Sequence, residues 1–283
     1  MRSVVITGVS TGIGHAAAKT LVDRGFRVFG SVRKQEDADR VQAELGDAFT
    51  ALIFDVTDEA AITAAADCVR GALGGETLAG LVNNAGIAVS GPLLDLSADD
   101  YRRQLEVNLV GPFLVTQAFA PLLGAEPGLT GTPGRIVNIS SVAGKRAMPF
   151  LGPYAASKFG LEGYSEALRR ELMLFGIDVV VIGPGPVRTA IWDKAEEIDI
   201  EQFADSPYRP IMERFQKVFI KQGREGYPAE RLGELIHRAL TSDKPKVRYA
   251  AVKGRLLEKL MMQVASPRTL DRLIAKMLGL QQR

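Results

Sequence analysis

The sequence predicts a doubly wound α/β fold, with a parallel sheet between two layers of helices. Short apolar, β-branched runs recur at Val4–Ile6, Arg27–Val32, Ala51–Phe54, Leu78–Asn83, Arg135–Ser140 and Ile177–Gly183. Their apolar character is nearly continuous, as it is in strands covered on both faces. Longer helical patterns fill the gaps, and this alternation favours a parallel α/β sheet over an antiparallel one. The 283 residues are 46% hydrophobic, enough for a large core, which excludes a disordered chain.

The elements follow in order. After the first strand, TGVSTGIG (residues 7–14) leads into a helix over Gly14–Arg24. Ser97 and Asp100 form a capping-box pattern that opens a long helix toward Leu123. Ala125–Gly134, with two prolines and three glycines, reads as a surface loop. Pro153 suits the first turn of a helix running to about Phe175, which Gly176 ends. Beyond Pro184 the character changes. Residues 185–227 lack clear strands and carry Trp192, Phe203, Tyr208, Phe215 and Phe219. A last strand falls near Lys246–Ala251, and two short amphipathic segments follow. In the second, Leu270, Leu273, Ile274, Met277 and Leu278 share a helical face. We read residues 1–283 as one domain, with a substrate-covering segment at 185–227 and an amphipathic tail at 253–283. No internal repeat interrupts this pattern.

Composition excludes several function classes. A formal net charge of +2, with both signs mixed, gives no electrostatic footprint for nucleic acid. Cys68 is the only cysteine, and His15 and His237 lie far apart, so neither an intrachain disulfide nor a metal site is expected. The apolar run in MRSVVITG ends too soon for a signal peptide. No window approaches the ~18 apolar residues of a spanning helix. A soluble, cytoplasmic protein is expected.

The glycine turn points to a phosphate. Gly8 permits the tight turn, Gly12 lets the backbone approach a pyrophosphate, and Gly14 lets helix and strand pack closely. The N–H groups and dipole at the start of the helix favour an anion there, and Ser10 and Thr11 add hydroxyl donors. By itself such a turn is also an ordinary strand–helix connection. Further along, PYAASK puts Tyr154 and Lys158 at i and i+4, on one helix face. A nearby ammonium favours the phenolate, which would bring the phenol into range for acid/base work. An isolated Y-x-x-x-K is usually just an exposed face, but here NISS ends the preceding strand. Ser140 and Ser141 therefore sit at the carboxyl edge of the sheet, where α/β folds bind ligands.

TGVSTGIG, with G-x-x-x-G-x-G spacing, resembles the cofactor turn of the short-chain dehydrogenase/reductase family, and the other motifs follow in the family's order over roughly residues 3–190. The resemblance implies a Rossmann-type fold and a catalytic set of Ser141, Tyr154 and Lys158. Asn108, in EVNLVG, matches the family asparagine that holds a relay water. NNAG, with Asn84, Ala85 and Gly86, matches the motif that supports the sheet beside the cofactor. Asp55 in FDVT matches the acid that contacts adenine, with Val56 beside it; a plain turn before Asp58 remains open for Asp55. Pro184, Gly185, Val187 and Thr189 of PGPVRT match the stretch near the nicotinamide. The resemblance adds Ile13 of the glycine turn, and Tyr154 and Lys158 themselves, to the cofactor contacts.

An acid usually lies roughly 20 residues past the glycine turn, bonding the ribose. VFGSVRK (residues 28–34) has Val32 there, followed by Arg33 and Lys34. Arg33 can fork onto a 2′-phosphate, so NADP(H) is favoured and NAD(H) remains possible. The resemblance is to members that act on steroids, retinoids or other lipophilic alcohols and ketones. Met148, Phe150, Leu151, Ile191, Trp192, Phe203, Ile211, Met212 and Phe215 could line such a pocket, or could simply pack the C-terminal third. The tail, Gly254–Leu280, could pack on its own subunit, cover a partner, or touch a membrane surface. The resemblance implies a homodimer or homotetramer. An alternative is a catalytically silent NADP(H)-binding sensor on the same fold. A methyltransferase shares the first glycine turn but has no use for Y-x-x-x-K beside N-I-S-S.

Overall fold

A computed structural model describes residues 1–189, 200–252 and 266–280. The sheet has seven strands: β1 (Ser3–Ile6), β2 (Arg27–Val32), β3 (Phe49–Ile53), β4 (Gly80–Asn83), β5 (Arg135–Ile139), β6 (Asp178–Pro184) and β9 (Arg248–Ala251). Their order is β3-β2-β1-β4-β5-β6-β9, and every pairing is parallel. The strand order reverses between β1 and β4, the switch point at whose carboxyl edge α/β sheets bind ligands. β1 and β4 are buried along their whole length, as their continuous apolar runs require.

Helices α1 (Gly12–Asp23) and α2 (Gln35–Leu45) cover one face of the sheet, joined there by α8 (Ala229–Thr241). The other face carries α3 (Glu59–Leu73), α5 (Gly111–Phe119) and α6 (Gly152–Glu171), with α4 (Ala98–Leu105) packed against α6. Local chemistry sets several boundaries. Asp58 caps α3 by accepting from Ala61 N at 3.0 Å, and Ser97 caps α4 by accepting from Asp100 N at 3.0 Å. Gly176, at φ 68°, turns the chain after α6 and a short 3-10 stretch. Gly233 lets α8 lie on α1, because a Cβ there would fall 2.4 Å from Thr20 Oγ1.

Two sequence expectations need correction. The helix expected from Ser97 to Leu123 is not continuous: Glu106–Val110 forms a π-turn between α4 and α5. The region after Pro184, expected to lack clear strands, holds a two-residue parallel pair, β7 (Val187–Arg188) with β8 (Tyr227–Pro228), and between them a helix, α7 (Arg209–Arg224). A third apolar cluster sits apart from the sheet. Phe150, Leu151, Phe203, Met212 and Phe215 meet Leu278 of α9 (Pro267–Leu278), with Tyr154 and Ile274 packed against them. Residues 190–199, with Ile191 and Trp192, and 253–265 of the tail lie outside the described residues. Among the described residues, no helix is long and apolar enough to cross a membrane.

Candidate active site

The glycine turn is shaped as its spacing predicts. Gly8 and Gly12 adopt φ of 72° and 67°, which side-chain-bearing residues rarely reach. A Cβ on Gly14 would lie 2.2 Å from Gly8 O and 2.4 Å from Asn84 Nδ2, so this contact admits only glycine. Thr11, at the N-cap of α1, makes no side-chain capping bond, leaving the N–H groups of the first turn around Ile13 for an anion. These features fit a dinucleotide pyrophosphate.

Neighbouring segments hold the turn. Thr7 Oγ1 accepts from both Asn84 N and Ala85 N at 3.0 Å, tying NNAG to β1. Asn84 Nδ2 donates to Thr7 O and Gly8 O. Ser31 Oγ accepts from Gly8 N at 3.0 Å. Arg40 of α2 donates to Ser10 O at 2.7 Å. The PGPVRT stretch returns over the turn: Thr189 Cγ2 would lie 3.3 Å from a Cβ on Gly12, and Gly185 N donates to Ala251 O at 2.8 Å. Val187 is buried, and Pro184 ends β6. Sequence reasoning did not single out Thr7, Ser31 or Arg40. A polar Ser31 inside the apolar second strand was the one available signal.

At the end of β2, Arg33 is 68% exposed and stands 3.7 Å from Asp55 Oδ2. Asp55 Oδ1 accepts from Thr57 N and Thr57 Oγ1, so the turn-forming role left open for it is present. Val56 is buried, and a Cβ on Gly111 would meet it at 2.8 Å.

The catalytic candidates gather where β5 meets α6. Ser141 lies two residues past the end of β5 and accepts from Ala143 N at 3.1 Å, starting a short turn. Tyr154 lies in the first turn of α6, and Lys158 one turn later is only 5% exposed. Lys158 Nζ donates to Ile139 O at 2.8 Å and stands 5.8 Å from the Tyr154 ring centroid. Burial brings the Lys158 pKa down to about 8, with the charge of Glu162 opposing the shift. The Tyr154 ring keeps partial exposure, yet burial of its phenol raises the pKa, opposed by an interaction with the Ser141 hydroxyl. This reverses the lowering expected from Lys158. The physical reason is that the ammonium is turned toward the β5 carbonyl and desolvation dominates at the phenol.

Asn108 is fully buried in the π-turn. Its amide donates to Ile87 O at 3.0 Å and Ser157 Oγ at 3.2 Å, and its oxygen accepts from Ile87 N at 2.9 Å. Both amide protons are therefore engaged in joining the loop after Gly86 to α6. A Cβ on Gly86 would lie 3.1 Å from Asn108 Oδ1, so Gly86 is what lets the loop approach. Beneath lies a buried chain of bonds, Asn83 to Asn138 at 2.9 Å and Asn138 to Ser165 at 2.9 Å, linking β4, β5 and α6.

The third cluster lies beside Tyr154. Phe150 has φ 66°, its carbonyl accepts from Gly91 N at 2.9 Å, and its ring meets Phe215 and Tyr208 edge-on. In α9, Leu278 packs inward while Leu273 and Met277 face out, so the described part of the tail lies on its own subunit.

Comparison with known proteins agrees with this geometry. The short chain dehydrogenase family matches residues 2–199. The NADPH-dependent 3-dehydrocapnine reductase of Ornithobacterium rhinotracheale is 38% identical over 98% of this chain and 97% of its own. Bovine (Bos taurus) 17-beta-hydroxysteroid dehydrogenase type 6 is 36% identical over 88% of this chain and 80% of its own. Retinol dehydrogenase 7 of Rattus norvegicus is 34% identical over 88% and 80%. A crystal structure of a short-chain dehydrogenase from Streptomyces avermitilis superimposes with a TM-score of 0.75 at 26% identity, covering 100% of this chain and 98% of that one. The chain belongs to the short-chain dehydrogenase/reductase family and is an NAD(P)-dependent oxidoreductase on a Rossmann-type sheet.

Proposed function

We propose that the protein is an NADP(H)-preferring oxidoreductase that interconverts a lipophilic alcohol and its carbonyl. The observation that carries this reading is the meeting of Ser141, Tyr154 and Lys158 at the carboxyl edge of the sheet, beside an apolar cluster that Tyr154 itself joins. When bound, the nicotinamide cofactor supplies or accepts the hydride. Tyr154 gives a proton to the carbonyl oxygen in reduction and removes the hydroxyl proton in oxidation. An ordinary phenol already holds its proton at neutral pH, as the donor role requires; burial raises the Tyr154 pKa further and the Ser141 hydroxyl opposes that rise. Ser141 donates to the same oxygen and stabilises its developing charge. Lys158 keeps a positive charge beside the phenol, and Asn108 fixes the loop and helix between which the proton path runs.

Gly8, Ser10, Thr11, Gly12, Ile13 and Gly14 would hold the pyrophosphate. Arg33 would meet a 2′-phosphate in place of the absent acid, in keeping with the NADPH named in one relative's activity. Asp55 and Val56 would border the adenine, and Asn84–Gly86 with Pro184–Thr189 would border the nicotinamide. The steroid and retinol named for two other relatives support a lipophilic substrate here. Residues 185–227 would cover that substrate. Phe113 and Phe159, 42% and 47% exposed on α5 and α6, suit a homodimer or homotetramer face. Sedimentation that found only monomer would contradict the assembly. A panel of ketones and alcohols of graded size and polarity tests the substrate class. Higher kcat/KM on apolar members is expected, and a clear preference for small polar sugars would overturn the lipophilic reading.

A further inference from the structure

Glu162 was not among the residues singled out from the sequence, yet among the described residues it is a deeply buried carboxylate near the site, with its side chain 8% exposed. It lies on α6 one turn past Lys158. Two other elements converge on it. Arg248 of β9 brings Nε to 2.9 Å and 3.1 Å from its two oxygens. Lys145, just past the Ser141 turn, brings Nζ to 3.2 Å. Gly144 closes the gap: a Cβ there would lie 3.1 Å from Glu162 Cγ, 2.9 Å from Lys158 O and 2.7 Å from Ser140 Oγ. Arg248 reaches this point under Gly183, where a Cβ would lie 2.3 Å from its Nη2.

Burial alone would raise the Glu162 carboxyl. Bonds from Arg248 and the nearby Ser140 hydroxyl, with the charges of Arg248 and Lys145, outweigh that and hold it below the ordinary carboxylate value. Ser140 Oγ is buried and outside ordinary hydrogen-bond geometry, so its share is weak. The carboxylate is thus ionised inside the protein, at a place where two cations already neutralise it. An ion cluster of this kind adds little net stability compared with apolar packing, so its position beside Lys158 asks for another account.

We propose that Glu162 is a positioning residue for proton transfer: it locks the Ser141 turn onto α6 and supplies a negative charge one turn past Lys158 on the same helix. The inference rests on the Tyr154–Lys158 assignment. The charged groups around Glu162 are Lys158 on its own helix, Lys145 on the turn and Arg248 on β9; Tyr154 is the titratable group beyond Lys158. A negative charge here helps both Lys158 and Tyr154 keep their protons, and they titrate as a coupled pair.

The test is the pH dependence of kcat/KM for NADPH-dependent reduction of an apolar aryl ketone, in wild type, Glu162→Gln and Lys145→Met. Glu162→Gln keeps the side-chain shape and removes the charge, so the alkaline limb should move to lower pH by about half a unit or more. Lys145→Met leaves Glu162 less neutralised, so its limb should move to higher pH. A purely structural role would not produce opposite shifts. Limbs that coincide, or that move the same way, would overturn the proposal. If Glu162→Gln does not fold, the double variant Glu162→Gln/Lys145→Met takes its place: a limb below that of Lys145→Met is expected, and one that coincides with it overturns the proposal. Tyr154→Phe run in parallel separates the two claims. Turnover near wild type in Tyr154→Phe removes the catalytic assignment itself, whereas an inactive Tyr154→Phe with unshifted charge variants removes only the role of Glu162.

Discussion

Replacing Arg33 by Gln should weaken NADPH binding selectively. Arg33 is largely exposed at the end of β2, and its contact in the structure is the Asp55 carboxylate at 3.7 Å. An exposed pair of this kind is worth at most about 1 kcal/mol, so the guanidinium can leave Asp55 cheaply. A charge-assisted bond from Arg to a phosphate is worth about 1.5–3 kcal/mol, and exposure at this site favours the lower half of that range. At about 1.4 kcal/mol per factor of ten, the loss is roughly 10- to 40-fold in NADPH affinity. NADH has no 2′-phosphate, so its affinity should change less than about twofold, and stability should stay within about 0.5 kcal/mol. Fluorescence titration of both cofactors measures these quantities without turnover. An unchanged NADPH affinity, or equal weakening of both cofactors, would refute the reasoning.

Two other substitutions probe the scaffold and the buried charge. Thr7→Val removes the oxygen that accepts from both Asn84 N and Ala85 N, leaving two partly buried donors unpaired. It should cost about 1–3 kcal/mol per orphaned donor and loosen NNAG, and denaturant unfolding that matched wild type would contradict this. Lys158 has a folded pKa of about 8 against 10.5 unperturbed, so the folded protein binds fewer protons between those values. Its contribution to stability is therefore least favourable below the folded pKa and improves as pH rises through the window. The stability of wild type relative to Lys158→Met should then grow between about pH 8 and about pH 10.5 in urea unfolding, and a shrinking difference would sink the assignment.

The strands and motifs were legible in the sequence because each rests on a local constraint. β1 and β4 must be apolar on both faces, and Gly14 must lack a Cβ to clear Gly8 O. The π-turn was not legible, since Glu106–Val110 continues the apolar period of the flanking helices and only the buried bonds of Asn108 mark it. Helix α7 was not legible because its Ile211, Met212 and Phe215 fit a pocket lining and packing of the C-terminal third equally well. The structure packs Met212 and Phe215 into a cluster with Phe150. The sign of the Tyr154 shift depends on desolvation and on which way Lys158 points, and neither is a property of i,i+4 spacing. Glu162 was equally readable by spacing, one turn past Lys158, but its partners Lys145 and Arg248 come from elements that only the folded chain brings together.

The central claim is that Tyr154 moves the proton. It is tested most directly by comparing turnover and NADPH affinity in Tyr154→Phe and wild type. The account predicts a fall in kcat of about 10²–10⁴-fold, the range general acid–base catalysis supplies, with NADPH affinity preserved within a few-fold. Turnover near the wild-type rate would contradict it.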